Sequence, residues 1–385
     1  MLICLGGIRL ARSVGYEHPT IAEINRSSFR KNILEIKKIT RPSLFMAVVK
    51  TNAYGHGLVA MGETAVSAGA DRLGVSTVEE GRVLREENVD IPIHLLSAIC
   101  PEQASAVVHY NLIPLVSSRD AVIALNEEAK RQEKEVRVHF KLDTGLHRFG
   151  CSPREALDFI QTYYHLPHIT WEGIYTHFSH ADEGDWSTTE KQFALFKQTV
   201  TSLEKRGYVF PIQHVGGSTI AMERADMHLD MVRPGVSLFG YYPHSRQKKR
   251  LPLRPVMTLK SQIIQLLFLS AGTAIGYGGH YVTKADEMIA VLPIGHGDGY
   301  QRRLSNKGEV LVNGRRAPIV GMISLDQTMI NVTHLPDVQV GDEVILMGKT
   351  DAEEITADEI ACWMGSIVDE VLSGLMERIP RKYIG

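Results

Sequence analysis

The sequence predicts an α/β fold in which an N-terminal (β/α)8 barrel of the TIM type is followed by a mostly-β C-terminal domain. Three observations carry this expectation. Eight short β-like runs alternate with amphipathic helical stretches across residues 18–250. The alternation stops at the proline-marked segment Leu251-Pro-Leu-Arg-Pro255, beyond which β runs and turn signals take over. The 385-residue length also exceeds one ordinary compact domain. The expected division is therefore an extension over residues 1–17, a barrel over 18–250 and a β domain over 251–385.

Taken in order, Ser27–Thr40 opens the barrel as a helix, because Phe29, Ile33 and Ile36 recur on one face at helical spacing. The β runs follow at Leu44–Val49, Leu73–Ser76, Ile93–Leu96, Ile113–Val116, Val136–Leu142, Trp171–Tyr175, Gln213–Val215 and Met231–Val232. Helix patterns at Gly57–Ala68, Val78–Glu87, Arg119–Gln132, Arg154–Tyr164 and Thr189–Arg206 separate them. A doubly wound open sheet is the competing arrangement, and the strand count favours closure. In the C-terminal part the β runs are Thr258–Leu269, Met288–Pro293, Glu309–Val312, Ala317–Val320, Met329–Val332 and Glu343–Met347. Val312-Asn-Gly-Arg315 marks a hairpin, since Asn-Gly suits a type I′ turn.

Composition removes several function classes. At 44% hydrophobic and 22% charged residues the chain has core enough to fold, unlike a disordered segment. A formal net charge of −2 lacks the basic excess of a nucleic-acid binder. The longest apolar run, Ile263–Leu269, is strand-sized and far short of a membrane span. The apolar start Met1–Ile8 is brief and is followed by Arg9 and Arg12, so no cleavable leader is expected and the expected location is the cytoplasm. Cys4, Cys100, Cys151 and Cys362 are widely spaced, which fits a reducing compartment with buried, inert thiols.

Catalytic groups of such a barrel collect at the carboxyl ends of its strands. The first β run ends in Lys50-Thr-Asn-Ala-Tyr-Gly-His-Gly57. A lysine there has two readings: a cation snorkelling at the rim, or a desolvated amine able to form a Schiff base. Lys50 and its neighbours resemble the pyridoxal-phosphate lysine segment of the alanine racemase family. The resemblance extends from Pro19-Thr-Ile-Ala-Glu-Ile-Asn25 to Arg378-Ile-Pro-Arg381, and identifies the chain as a fold type III pyridoxal-phosphate-dependent amino-acid racemase.

The resemblance implies a role for each matched position. Lys50 would hold the cofactor covalently and act as one catalytic base, and Tyr54 would reach the cofactor phosphate. Lys141-Leu-Asp-Thr-Gly-Leu-His-Arg148 implies that Arg148 contacts the cofactor and the substrate, and marks Lys141 as a candidate for the carbamylation found in many members. His177, in Tyr175-Thr-His-Phe178, would stack on the pyridine ring. Ser218, after Gly216-Gly, and Gly235 and Val236, in Arg233-Pro-Gly-Val236, would receive the phosphate. Arg233 would face the pyridine nitrogen, where a cation makes the cofactor a weaker electron sink than a carboxylate would. That choice suits racemisation rather than decarboxylation or transamination.

Racemisation needs a base on each face of a planar intermediate. Tyr277, in Ile275-Gly-Tyr-Gly278, would be the second base. A phenol is a weak base unless its anion is stabilised, which a chain through His177 and Arg233 would provide. In the family this tyrosine crosses from the partner subunit, so the resemblance implies a homodimer with shared sites. Gly321-Met-Ile-Ser-Leu-Asp326 would bring Leu325 and Asp326 to the substrate carboxylate. His296 and Glu377 stand where the family has tyrosines at the entry channel and the cofactor phosphate, which puts strict alanine specificity in doubt.

The expected function is interconversion of L- and D-alanine, supplying a D-amino acid for bacterial peptidoglycan. A racemase accepting serine or larger side chains is the second reading. A decarboxylase would put an acid in place of Arg233, and a zinc-dependent aldolase would need a His/Cys cluster late in the chain. A non-enzymatic pyridoxal-phosphate-binding protein would match the barrel alone. The expected partners are a second copy and a small amino acid, with no nucleic acid, membrane or metal.

Overall fold

The structure is a computed structural model that describes residues 18–244 and 251–385; the extension expected over 1–17 lies outside the described residues. The chain forms two compact units. One comprises Glu23–Thr258, Ala357–Leu375 and Tyr383–Gly385; the other comprises the segment ending at Ala22, Leu259–Thr356 and Met376–Lys382.

After strand β1 (Ile21–Asn25), helix α1 (Arg26–Thr40) begins at Asn25, whose side chain caps Ser28 N–H and satisfies one of the orphan donors of the first turn. Its face of Phe29, Ile33 and Ile36 is buried, each side chain contributing about 1.5–3 kcal/mol relative to exposure. The barrel strands follow: β2 (Leu44–Val48), β3 (Arg72–Val75), β4 (Ile93–Leu95), β5 (Ile113–Val116), β6 (Val136–Lys141), β7 (Ile169–Tyr175), β8 (Ile212–His214) and β9 (Met231–Val232). They pair in the order β8-β7-β6-β5-β4-β3-β2-β9, with all neighbours parallel. Hydrogen bonds from Asp230 N to Gln213 O (3.1 Å) and from Arg233 N to Gly216 O (3.0 Å) join the segments at β8 and β9 and close the ring.

Between the strands lie the left-handed turn α2 (Lys50–Tyr54) and helices α3 (Leu58–Ser67), α4 (Val78–Glu86), α5 (Ala104–His109), α6 (Arg119–Arg131), α7 (Ala156–Tyr163), α8 (Trp186–Glu204) and α9 (Ser218–Glu223). The short α5 was not among the expected helices, because six residues offer too little periodicity to stand out. Two helices after the β region, α10 (Ala357–Met364) and α11 (Val368–Ser373), belong to the barrel unit.

The other unit is strand-rich: β10 (Met257–Gln262), β11 (Gln265–Leu269), β12 (Ala274–Ile275), β13 (Tyr281–Val282), β14 (Glu287–Leu292), β15 (Glu309–Val312), β16 (Arg315–Pro318), β17 (Thr328–Asn331), β18 (Glu343–Lys349), β19 (Glu354–Ile355) and β20 (Arg381–Ile384). One sheet runs β16-β15-β18-β10-β1-β20, with β19 on β18; β11-β14-β17 form a second and β12-β13 a hairpin. The continuous run expected over Thr258–Leu269 is thus two strands in different sheets, with Ile263 N bonded to Asp342 O and Ile264 N to Val291 O at the switch. The Asn-Gly hairpin is present: Asn313 and Gly314 have φ of 48° and 74°, the left-handed pair that type I′ requires.

Cys4 lies outside the described residues; among the other three cysteines the expectation of a buried thiol holds for Cys151, while Cys100 and Cys362 are exposed. Cys100 precedes a one-turn 3-10 helix, and Cys362 projects from the face of α10 opposite buried Ile360 and Met364. No helix among the described residues is long and apolar enough to cross a membrane.

Candidate active site

A cavity of about 530 Å³ opens at the carboxyl ends of the barrel strands. Lys50, Tyr54, Lys141, Arg148, His177, Ser218, Arg233, Gly235 and Val236, scattered over nearly 190 residues of sequence, all line it. The topology explains this convergence, since together they end or follow five of the parallel strands, β2, β6, β7, β8 and β9.

Lys50 begins a turn of unusual hand. Thr51, Asn52, Ala53 and Tyr54 have φ of 56°, 51°, 52° and 51°, a left-handed stretch without a single glycine. Such a conformation costs roughly 1–2 kcal/mol per residue, and β-branched Thr51 is an especially poor fit for it. Tertiary contacts hold it in place. Asn52 N–H donates to Glu80 Oε1 at 3.0 Å, and Asn52 Oδ1 accepts from Leu58 N at 2.8 Å. Gly55 follows with φ of 78°, and a Cβ there would collide with the Leu372 carbonyl of α11. The turn sets Lys50 at the cavity and buries Tyr54 against the Phe239 ring, 5.0 Å away.

Electrostatics make both lysines unusual. Burial, and then Arg148, lowers the Lys50 pKa, while Asp369 and Glu80 oppose the shift. Burial with Arg233 and Arg148 brings Lys141 down to about 7, and its Nζ lies 4.5 Å from the centre of the Tyr175 ring. Lys141 is therefore partly a neutral amine near neutrality, and Lys50 is shifted in the same direction.

Arg233 is buried and holds four contacts. Nη1 donates to His214 Nδ1 at 2.7 Å; Nη2 donates to Thr176 O at 3.0 Å, Val215 O at 3.2 Å and His177 Nδ1 at 3.2 Å. Burial lowers its pKa to about 10, which leaves it a cation at neutral pH. Because guanidinium only donates, His177 Nδ1 is the acceptor and the ring's proton is on Nε2. Burial and Arg233 push His177 well below its ordinary value, so the ring is neutral.

The opposite wall is rich in small donors. Ser218 Oγ accepts from Gly235 N at 3.0 Å and lies 3.0 Å from Ser237 Oγ. A Cβ at Gly235 would collide with Tyr54 Oη, so glycine is what lets the backbone approach the phenol. Two carboxylates also line the cavity without having been singled out in the sequence: Asp182, which accepts from Thr219 Oγ1 at 2.5 Å, and Asp369 of α11. No local pattern flags Asp369, because α11 reaches the barrel only through the chain's late return.

Tyr277, Leu325 and Asp326 belong to the strand-rich unit and do not line this cavity. Tyr277 is 70% and Leu325 55% exposed, while Asp326 Oδ1 accepts from Arg378 Nη1 at 2.9 Å. His296 and Glu377 lie in the same unit and are exposed, so neither sits in the wall of the cavity described above.

The cavity fits a pyridoxal phosphate on the evidence of its donors. It offers a lysine whose pKa burial lowers, a cluster of hydroxyl and amide groups at Tyr54, Ser218 and Gly235, and a buried cation in Arg233. Tyr175 Oη, in the same wall, is buried with no hydrogen-bond partner among the described residues.

Comparison with known proteins agrees with this geometry. Residues 24–243 match the family described as "Alanine racemase, N-terminal domain", and 256–383 match "Alanine racemase, C-terminal domain". The chain is 42% identical over 366 residues to an alanine racemase of Halothermothrix orenii, covering 95% of this chain and 97% of that protein. It superposes on the alanine racemase structure of Clostridium difficile 630 with a TM-score of 0.91 at 36% identity, covering 96% of each chain. An alanine racemase of Bartonella henselae, solved with covalently bound pyridoxal phosphate, gives 0.87 at 28% identity, covering 96% of this chain and 100% of that one.

Proposed function

This chain belongs to the alanine racemase family, a family of isomerases, and from that premise we propose that it interconverts L- and D-alanine with pyridoxal phosphate held in the barrel cavity. The observation that carries the reading is the convergence of Lys50, His177, Ser218 and Arg233 on one cavity. When bound, pyridoxal phosphate supplies an electron-withdrawing ring that acidifies the α-proton of an amino acid attached to it.

Lys50 would hold the cofactor, because burial lowers the pKa of its amine and so favours the nucleophilic form. Tyr54, Ser218, Gly235 and Val236 would receive the phosphate, and the neutral His177 ring would pack against the cofactor ring. Arg233, tied down by four contacts, would present a fixed cation to the ring nitrogen. A cation at this place would make the ring a weaker electron sink than a carboxylate would, which suits return of the proton over loss of a carboxylate. Arg148, at the rim, is placed to meet the substrate carboxylate. Lys50 Nζ takes or returns the α-proton on one face.

The second face needs a second base. We assign it to Tyr277 of a second copy, with Leu325 and Asp326 of that copy completing the substrate site, so the working unit is a homodimer. The exposure of Tyr277 and Leu325 supports this assignment. Lys141, with its lowered pKa, is suited to carbamylation, which would turn a cation beside Arg148 into an anion. D-alanine made here would serve a bacterial cell wall, in keeping with the bacterial source of the relatives.

Reduction of the purified holoenzyme with borohydride, followed by peptide mapping, tests the reading together with chiral chromatography of alanine. The label is expected on Lys50, and the Lys50→Ala variant is expected to lose both label and racemisation. A label on any other lysine would overturn it.

A further inference from the structure

From Arg233 at the cavity a chain of polar groups runs into the barrel through His214, His139 and Glu172, three residues that the mechanism above does not use. It starts at Arg233 Nη1, which donates to His214 Nδ1 at 2.7 Å. That contact leaves the His214 proton on Nε2, 2.7 Å from His139 Nδ1, which must then accept it. His139 in turn carries its proton on Nε2 and donates it to Glu172 Oε2 at 3.0 Å. The sequence of donors runs one way, from a cation at the cavity to an anion deep in the barrel.

The anion is itself well fixed. Arg72 meets Glu172 with Nη1 at 2.7 Å and Nη2 at 3.3 Å, and Arg137 Nη1 adds a contact at 3.2 Å. Although burial pushes the carboxyl up, hydrogen bonds from His139 and Arg72 outweigh it and hold the pKa at about 2. The ligand atoms of His94, His139 and Glu172 also lie within 4.8 Å of one another, a spacing that suits a metal ion. Arg72 Nη1, 3.0 Å from His94 Nε2 and 2.7 Å from Glu172 Oε2, already fills the place of the cation.

The backbone is shaped around this arrangement. In the β6–β7 pair Val138 faces Trp171, but His139 faces Gly173, so Glu172 is the extra residue of a β-bulge. Bulges are rare between parallel strands and re-aim a side chain where they occur. The residue after it is equally constrained, since a Cβ at Gly173 would sit 2.5 Å from His139 Nδ1 and 2.6 Å from the Ile212 carbonyl.

We propose that Glu172, acting through His139 and His214, is a positioning residue for Arg233: an acceptor-only anion that fixes the tautomer of both rings and so the way the guanidinium is presented to the cavity. The proposal rests on the reading of Arg233 as the group that faces the cofactor ring. Its logic predicts what an isostere does. A glutamine at position 172 has a donor end as well as an acceptor end. Turned toward His139 Nε2, the amide N–H₂ would move the His139 proton to Nδ1. The His214 proton would then shift to Nδ1, where it meets the Arg233 N–H, and Arg233 loses its acceptor.

Nitrogen-15 NMR of the histidine-labelled holoenzyme tests this, with resonances assigned from His139→Asn and His214→Asn. The wild type is expected to show both rings as neutral Nε2–H tautomers. Glu172→Gln is expected to show mixed tautomers and a loss of about tenfold or more in kcat, the scale of one charge-assisted hydrogen bond, with KM little changed. Glu172→Asp keeps an acceptor-only group, so it is expected to retain the wild-type tautomers and recover most of the rate. An Nδ1–H tautomer on either wild-type ring overturns the proposal even if no variant folds. Wild-type tautomers in Glu172→Gln, or altered tautomers with unchanged kcat, overturn it as well. Because tautomers are read without turnover, expected tautomers in a protein that does not racemise alanine would support the relay and overturn the functional reading instead.

Discussion

The backbone N–H of Asn52 donates to Glu80 Oε1 at 3.0 Å, tying the left-handed turn after Lys50 to the first turn of α4. The same carboxylate accepts from Ser76 N at 2.9 Å and Thr77 N at 3.3 Å and completes a capping box with Thr77. One side chain therefore caps a helix and holds a strained backbone in register. Glu80→Ala is expected to cost about 1 kcal/mol, since it leaves the partly buried N–H groups of Asn52 and Ser76 without their acceptor. It should also slow capture of pyridoxal phosphate, because the strain is no longer held. Urea denaturation and absorbance stopped-flow measure the two effects; a stable variant with wild-type capture would dissolve the link.

Lys141 should give a pH signature. Its amine titrates near 7 in the folded protein against an ordinary value of 10.5. Between those values the unfolded chain holds a proton that the folded chain has lost, so stability rises with pH across that window. In carbon-dioxide-free buffer the wild type should gain on Lys141→Met from about pH 7 upward and level off near 10.5. A gap that stays flat or narrows contradicts the assignment. With ¹³C-bicarbonate present, a carbamate resonance is expected in the wild type and not in the variant.

Tyr277→Phe should leave cofactor loading intact and lower racemisation by about 10²–10⁴-fold, the usual worth of a general acid–base group. Exchange of the α-proton with deuterated solvent should then persist on the lysine face alone, labelling one enantiomer faster. Equal labelling of both enantiomers would remove Tyr277 from the mechanism. Mixing this variant with Lys50→Ala should restore activity, since a mixed dimer has one intact site.

Asp369 raises the pKa of Lys50 from within the cavity. Asp369→Asn removes that influence, so the Lys50 amine becomes neutral at lower pH. The midpoint of pyridoxal phosphate capture should move down in pH, and affinity for the phosphate dianion should rise as a like charge disappears. A midpoint that is unmoved, or that moves up, counts against a direct effect of Asp369 on Lys50.

Much of the barrel is legible from its sequence because β2 to β9 are short apolar runs with helical stretches between them, and their order in the sheet follows from right-handed crossovers. Nine of the residues lining the cavity are legible through the resemblance to the alanine racemase family, since strand-end position alone left even Lys50 with two readings. β1 is harder: Ile21–Asn25 alternates cleanly, but its sheet neighbours β10 and β20 lie more than 230 residues further along the chain. The turn at Lys50 is illegible for a different reason, since Thr51, Asn52, Ala53 and Tyr54 disfavour left-handed backbone and only distant contacts impose it. Asp369 is missed likewise.

The barrel unit is interrupted in sequence: Glu23–Thr258 is completed by Ala357–Leu375 and Tyr383–Gly385 only after the whole of Leu259–Thr356. On a ribosome emitting about 5–20 residues per second, the segment through Thr258 therefore waits several seconds for α11 to emerge. During that interval Gly55 lacks the carbonyl of Leu372 that packs on it, and the cavity lacks its Asp369 wall. The nascent barrel is thus synthesised well before it can be finished, an interval in which a holding chaperone has something to protect. Any permuted gene that places residues 357–375 ahead of residue 23 would close that interval.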